Sequence, residues 1–545
     1  MNFFEVSLFV VLASSGAVLA RILKQPIIIG YLFAGILLST TGVLNLDYTE
    51  SLSGLGQIGV TLLLFLIGLE MNVSELPSIG KTAFVAGMGQ IIFTSFVGFW
   101  LALLLGFTPL VAVYIALALT FSSTIISVKL LGEKNDTGSL YGKIAVGLLL
   151  VQDVIAILVL MFLAGVKSGN TSVVSTLLIL AKGLILLVLI RKLSRKTIPG
   201  LFEKLLGPSP ELVFVGSIAW ALGVASLVGG PLGFTLEVGG FLAGLALSNL
   251  PEHLEVASKV RPLRDFFLAL FFLYLGTTLK FDDLATVLFP AVVLSLFVLV
   301  GKLVIVAAIM GSMGYRRRTS FLASVNVSQI SEFSLIIMAM GLGLGHITSP
   351  DMSMVVLVGV VTMSVSTYLI LNSEKVFDKI KHRLTIFEKK KTQEPSMVLA
   401  SNLIGHIVLF GAHRTGAVLT DYFNKKKIAF VVVDFNPEVE KAFSLSTTPL
   451  VFGDMGDYET LDLLCLSKAR LVISTVPTLE DNKKLLEYMR NKKASASTII
   501  CAKTKSDARI LTMLGATKVI VPEVVAGQYI KSLLAKRLVP EMLKT

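Results

Sequence analysis

Residues 3–373 alternate between long apolar runs and short polar loops, and beyond them the pattern changes to strand-like and helix-like segments. The apolar runs fall at about 3–22, 26–44, 52–70, 81–106, 109–131, 138–165, 171–193, 210–229, 233–249, 262–280, 285–313, 317–344 and 350–373. Roughly twenty apolar residues span a bilayer as a helix, so the pattern predicts about thirteen membrane helices. The first run has no positively charged leader, and it reads as a membrane helix rather than a cleaved signal.

Polar residues inside these runs are few, and they are costly. Asp153 lies near the middle of Gly138–Gly165, next to Gln152. A carboxylate there costs about 2.5–3.5 kcal/mol on insertion scales, and such residues mark ion and proton pathways. We therefore read Asp153 as a cation and proton site. Lys302 in Val300-Gly-Lys302-Leu is the second costly charge and the natural counter-charge for Asp153. Two runs carry polar clusters, Thr120-Phe-Ser122-Ser123-Thr124 and Asn326-Val-Ser328-Gln329-Ile-Ser331-Glu332. They predict broken helices whose freed carbonyls help hold a cation, with Glu332 neutralising a half-helix N-terminus. Glu70 and Glu237 lie near run ends and read as interfacial.

An internal repeat supports this reading. Gly30-Tyr-Leu-Phe-Ala-Gly35 resembles Gly239-Gly-Phe-Leu-Ala-Gly244, and one run later Leu66-Ile-Gly68 resembles Tyr274-Leu-Gly276. Run 2 thus matches run 9 and run 3 matches run 10. A shift of seven runs is odd, so the copies are inverted, as in many secondary transporters. The repeat also pairs the two polar clusters.

Net charge is +12 and charged residues make up 15% of the chain. The positive charges sit mostly in loops on one side, among them Arg21, Lys24, Lys134, Arg191, Lys259, Arg261, Arg264 and Arg316–Arg318, against Lys167 and Lys280 on the other. The positive-inside rule then places the N-terminus outside and the C-terminal region in the cytoplasm. No basic stripe with interleaved aromatics is present, so nucleic-acid binding is rejected. Cys465 and Cys501 have no metal-ligand spacing.

Three domains follow: a membrane domain 1–374, a Lys-rich linker 375–402 and an α/β domain 403–545. In the last, His406–Phe410 reads as a buried parallel strand, Gly411-Ala-His413-Arg414-Thr-Gly416 as a turn into a helix, and Ile428–Val433 as a second strand ending on Asp434. This is the Rossmann order of strand, glycine turn, helix, strand and acid, in which the acid binds a ribose. His413 replaces the middle glycine, which restricts backbone approach to a pyrophosphate. No nucleophile, base or metal set accompanies the fold, so an enzyme is not expected.

Phe121-Ser-Ser-Thr124, Gln152-Asp153, Lys302 and Ser328-Gln-Ile-Ser-Glu-Phe333 resemble the monovalent cation:proton antiporter-2 family and, within it, the Kef-type potassium/proton antiporters. The C-terminal part resembles the regulatory nucleotide-binding (RCK/TrkA-N-like) domains of potassium channels and transporters. The resemblance implies a homodimer in the inner (plasma) membrane and a sodium/proton-antiporter-like fold with two broken crossing helices. It also implies elevator-like transport of potassium and protons, with Asp153, Gln152, Ser122, Ser123, Thr124, Lys302 and Glu332 as ion-binding and coupling residues. AMP or NAD(H) is the implied regulatory ligand, at Gly411, His413, Arg414, Gly416, Asp434 and, after the third strand, Asp454. Gln152 offers a neutral carbonyl where two-carboxylate exchangers place a second charge, and the weaker field suits potassium. A sodium/proton antiporter on the same scaffold and a ligand-gated potassium efflux channel are the alternatives.

Overall fold

The computed structural model describes residues 3–40, 46–70, 80–165, 210–384 and 404–534, apart from short stretches within those ranges, together with 186, 190 and 192. The expected run 171–193 and most of the linker lie outside the described residues. Among the described residues, seven helices are long and apolar enough to cross a membrane, and four shorter apolar helices accompany them. The chain divides into two units, the larger made of Met1–Thr137, Tyr141–Met310 and Ser320–His382, the other chiefly of Arg383–Thr545 with the short segments Gly138–Leu140 and Gly311–Thr319.

The helical unit runs α1 (Phe3–Ile22), α2 (Ile27–Thr40), α3 (Leu46–Glu70), α4 (Gly80–Leu104), α5 (Pro109–Thr120), α6 (Thr124–Glu133), α7 (Leu140–Gly165), α8 (Pro210–Gly229), α9 (Leu236–Leu247) and α10 (His253–Thr277). It continues with α11 (Leu284–Leu296), a π-helical turn (Phe297–Gly301), α12 (Lys302–Ser312), α13 (Arg317–Val325), α14 (Glu332–Gly343), α15 (Ser349–Leu371) and α16 (Ser373–Ile380).

The repeat seen in the sequence is built into the packing. Gly35 of α2 meets Gly276 and Leu273 of α10, and Gly244 of α9 meets Phe65 and Leu69 of α3, whose Gly68 in turn meets Phe241 and Leu245. Gly35 and Gly244 are repeat mates, as are Gly68 and Gly276, so the two crossings are the same contact made twice, reciprocally between the copies. In each crossing a Cβ on the glycine would collide with backbone of the other helix. Small residues let helices approach closely where lipid offers no hydrophobic drive for association. Leu62, Phe65, Leu66, Ala243, Ala246 and Leu247 fill the surrounding core.

Two helices are interrupted where the polar clusters fall. α5 ends at Thr120, Phe121 and Ser123 are extended, and Ser123 caps α6 by accepting the Ile126 N–H. α13 ends at Val325, and Ser331 caps α14 with a capping box to Ser334. Serine and threonine side chains offer the backbone partners outside the helix, which is why the helix gives way there.

Two features depart from the sequence expectation. α10 begins at His253, well before the expected 262, and continues through Pro262; its charged first turns hid it from an apolar-run reading. The run 285–313 holds a π turn immediately before Lys302, and such turns commonly mark functional sites.

The second unit is a six-stranded parallel sheet in the order β3-β2-β1-β4-β5-β6. Its elements are β1 (Ile407–Phe410), α17 (Arg414–Lys426), β2 (Phe430–Asp434), β3 (Leu450–Phe452), α18 (Tyr458–Leu463), β4 (Leu471–Ser474), α19 (Leu479–Asn491), β5 (Ser497–Cys501), α20 (Lys505–Met513), β6 (Lys518–Ile520) and α21 (Pro522–Leu533). This is the doubly wound Rossmann order. β1 and β2 are buried on both faces, which explains their unbroken apolar sequences.

The glycine crossings yield a stability test. Alanine is a better helix former than glycine by about 1 kcal/mol, yet Gly244→Ala should lower the thermal midpoint of the purified protein, because overpacking costs about 1–3 kcal/mol. Gly223→Ala, on α8 with no atom within 4 Å of its Cβ position, should leave the midpoint unchanged or raise it. Equal behaviour of the two variants would contradict the crossing.

Candidate functional site

The two interruptions lie against each other. Ser122 Oγ donates to Val327 O at 2.8 Å and Ser127 Oγ to Asn326 O at 2.6 Å, so side chains of the first break satisfy backbone of the second. Gln329 Nε2 returns the contact, donating to Ser123 O at 3.3 Å and Ser127 Oγ at 3.1 Å. All these residues are buried. An unpaired backbone group in an apolar interior costs several kcal/mol, so each break requires the other.

Lys302 and Glu332 complete this arrangement from opposite ends. Lys302, fully buried, donates from Nζ to Leu119 O at 3.3 Å, Phe121 O at 3.2 Å and Gln329 O at 3.0 Å. These are carbonyls at the C-terminal end of α5 and in the second break, where a helix dipole favours a cation. Glu332 is the first residue of α14, and its carboxylate accepts from Ser123 Oγ at 2.8 Å and Ser331 Oγ at 3.2 Å. Ser123 and Ser331 are the caps of α6 and α14, so the acid stands at two helix N-termini at once.

Asp153 faces the same crossing from α7, with Oδ2 accepting from Thr124 Oγ1 at 2.9 Å. It lines a cavity of about 280 Å³ with Thr124, Arg264, Ser331 and Glu332. The oxygens of Thr124, Asp153, Ser331 and Glu332 are hard donors, the type an alkali cation takes.

Of the expected ion-site residues, Asp153, Thr124 and Glu332 line this cavity, and Ser123 is tied to it through Glu332. Two expectations are corrected. Lys302 makes no ion pair with Asp153: its donors go to three carbonyls, because the ends of the broken helices need them. Gln152 does not line the cavity. Its Oε1 accepts the Ser122 N–H at 2.9 Å and its Nε2 donates to Gln90 Oε1 at 2.6 Å, so both ends of the amide serve the first break. Ser122 likewise points to Val327 rather than into the cavity.

Gln90 and Arg264 escaped the sequence reading. Gln90, buried in α4, donates to Thr120 O and Thr94 Oγ1, both at 3.0 Å. It is the one amide in an otherwise mostly apolar helix, with Thr94 and Ser95 a turn beyond it, and that polar group was its signal. Arg264 lies two residues inside the expected run 262–280, where the positive-inside reading takes it as a loop charge; in the structure it is well inside α10. It also donates to its neighbour Asp265, at 2.9 Å from Nε.

In the α/β unit, Gly411 turns the chain after β1 at φ +83° and a Cβ on Gly416 would strike Gly411 O, so only glycine fits this tight turn. His413 caps α17 without a side-chain bond and is exposed, and Arg414 opens that helix. Asp434, at the end of β2, accepts the Ala412 N–H at 2.8 Å, so the acid and the glycine turn form one site. A tight turn with glycine at 411 and 416 before a helix N-terminus, with an acid at the end of the next strand, fits a nucleotide's phosphate and ribose. Asp454 does not extend this site through the Oδ1 that bonds its own turn at Gly456 N, 2.8 Å away.

Comparison with known proteins follows the same division. Residues 8–371 match the transmembrane domain of the sodium/hydrogen exchangers, and residues 407–522 match the TrkA-N domain. YbaL of Escherichia coli (strain K12), named for cation/proton antiport, is 25% identical over 526 residues, 94% of this chain and 93% of its own. K(+) efflux antiporter 5 of Arabidopsis thaliana is 30% identical over 373 residues, 67% of this chain and 64% of its own, less than two thirds of that longer protein. The solved sodium proton antiporter MjNhaP1 from Methanocaldococcus jannaschii shares the fold, with a TM-score of 0.52 and 16% identity over 70% of this chain and 96% of that one. The protein is a transporter rather than an enzyme, a multi-pass membrane protein with a soluble C-terminal domain: the chain belongs to the sodium/hydrogen exchanger family, in its Kef-type cation:proton antiporter-2 branch.

Proposed function

We propose that the protein exchanges potassium for protons at Asp153, by alternating exposure of the crossing of the two broken helices. The observation that carries this is the position of Asp153. It is a membrane-embedded carboxylate in a cavity rimmed by hydroxyl and carboxyl oxygens, with one hydrogen bond to Thr124. A cation or a proton satisfies the remaining lone pairs, and the two exclude each other. The potassium assignment follows relatives named as K(+) efflux antiporters. The corrected place of Gln152 removes the field argument for it, so it rests on those names. The protein acts as a homodimer in the inner (plasma) membrane, with its N-terminus outside and residues 403–545 in the cytoplasm.

Asp153→Asn should abolish exchange in proteoliposomes while expression and thermal midpoint stay near wild type. Potassium and sodium are assayed separately: wild-type rates from the variant would end the Asp153 proposal, and a preference for sodium would overturn the ion assignment.

The place of Lys302 bears on the proton count. A cation arriving at Asp153 displaces no partner of Lys302, so it gives Lys302 no cause to release a proton. We therefore expect one-for-one, electroneutral exchange. With the membrane potential clamped at different values, the rate should stay constant; a rate or reversal point that tracks the potential requires a second charge to move.

The α/β unit adds regulation by an adenine nucleotide, AMP or NAD(H), at the Gly411–Gly416 turn, with Arg414 and His413 beside the phosphates and Asp434 on the ribose. Either nucleotide should raise the thermal midpoint of the full-length protein, and Asp434→Ala should lose most of that shift. No shift with millimolar nucleotide would leave the domain a structural role.

A further inference from the structure

A second cavity, of about 360 Å³, lies in the helical unit among α3, α9, α10 and α14, with Ser53, Gln57, Thr235, Glu237, Tyr274 and Thr278 as its polar lining. Its position relative to the Asp153 cavity follows from the helices they share. α3 gives Ser53, Gln57 and Val60 to the second cavity and Leu63 and Ile67 to the first. α10 gives Phe271, Tyr274 and Leu275 to the second and Arg264 to the first; α14 gives its C-terminal half to the second and Glu332 and Phe333 to the first. The cavities are therefore stacked along the same helices, at opposite ends.

They are also related by the internal repeat. The offset that joins Gly68 to Gly276 joins Leu63 to Phe271 and Ile67 to Leu275, one residue of each pair in each cavity. The same offset carries Arg264 back to Gly56, beside Gln57. The two cavities are thus lined by corresponding positions of the repeat, with different charged groups: Arg264 with Asp153 and Glu332 in the first, Glu237 in the second.

Glu237 is poised to take a ligand. Among the described residues its carboxylate has no hydrogen bond or ion pair, and the side chains of Gln57 and Tyr274 are likewise unengaged. Thr235 Oγ1 is buried with no hydrogen-bond partner. A carboxylate, an amide, a phenol and a hydroxyl around a space of this size suit a partly hydrated monovalent cation, since each water takes about 30 Å³.

We propose that Glu237 forms a second cation subsite, which gathers potassium or sodium on the side opposite Arg264 before the ion reaches Asp153. This rests on the antiport reading. It predicts a sided affinity: a unit charge at about 4 Å in water contributes about 1 kcal/mol, or roughly fivefold.

The test is exchange in proteoliposomes of uniform orientation, with potassium varied on one side at a time. Glu237→Gln should raise the half-maximal potassium concentration about fivefold on the Glu237 side, leave the Arg264 side unchanged and preserve the maximal rate. Glu237→Asp should restore the wild-type value. Raising inert salt should weaken wild-type potassium affinity more on the Glu237 side, a measurement that needs no variant. Unchanged or equal shifts on both sides, or equal salt dependence, overturn the subsite. Asp153→Asn run in parallel separates the two readings: exchange by that variant would remove the antiport site, whereas normal loss there with an unshifted Glu237→Gln removes only the subsite.

Discussion

Everything at the crossing depends on one constraint: backbone that leaves a helix inside a membrane must find its hydrogen bonds within the protein. The sequence creates two such breaks, at 121–123 and 326–331, and the fold satisfies them with each other. Ser122, Ser127 and Gln329 exchange bonds across the crossing, Gln152 and Gln90 brace it from α7 and α4, and Lys302 and Glu332 supply charge where carbonyl and N–H ends gather. Asp153 is the exception, with a single hydroxyl partner and a cavity beside it. The same polar residues that look like a binding site in sequence are mostly occupied in holding the breaks open. Site and scaffold separate only when each hydrogen bond is traced to its acceptor.

The reciprocal glycine contacts do for the rest of the membrane domain what the polar network does for the crossing. α2 against α10 and α9 against α3 make one close approach twice. At these crossings the helices touch through backbone, with close-packed side chains around them, so the block resists rearrangement. The two cavities lie along that wall, each lined in part by α3 and α10. In the proposed exchange, a path that opens alternately to two sides needs a stationary surface common to both, and this block is the surface that scheme would use.

Much of this was legible in the sequence, for physical reasons. Long apolar runs and midspan charges are loud signals, because lipid makes both improbable by chance. The polar clusters marked the helix breaks correctly, since serine and threonine compete for backbone bonds. The Rossmann order was readable from two apolar strands, a glycine turn and Asp434. What failed were inferences about partners. Lys302 and Asp153 are opposite charges within long apolar runs, and pairing them was natural, but composition cannot say that three carbonyls take up the ammonium. Gln152 adjoins Asp153 in sequence, yet adjacent residues on a helix point about 100° apart, so the two amide ends face the break while the carboxylate faces the cavity. Arg264 was missed because a charged helical turn looks like a loop in a membrane protein.

The fate of Lys302 also bears on how cation and proton stay coupled. In the proposed exchange the crossing carries Lys302, Glu332 and Asp153. The first two are each held by two or three hydrogen bonds that serve the helix ends, and those bonds do not depend on the cargo. Asp153 alone changes partner. Loaded with a proton or with a monovalent cation, it is neutral or neutralised, and either form moves through the low-dielectric interior at similar cost. Empty, it would leave a carboxylate with no ion pair and one hydroxyl partner inside the membrane domain, a state costly by several kcal/mol. That penalty falls on the return step without cargo, which is the leak an antiporter must suppress. Had Lys302 paired with Asp153, the empty form would have been the stabilised one, and a cation would have had to compete with a fixed ammonium at each turn. In the proposed exchange, holding the lysine on the carbonyls would keep the empty carrier unfavourable and so oblige it to carry one ion or the other.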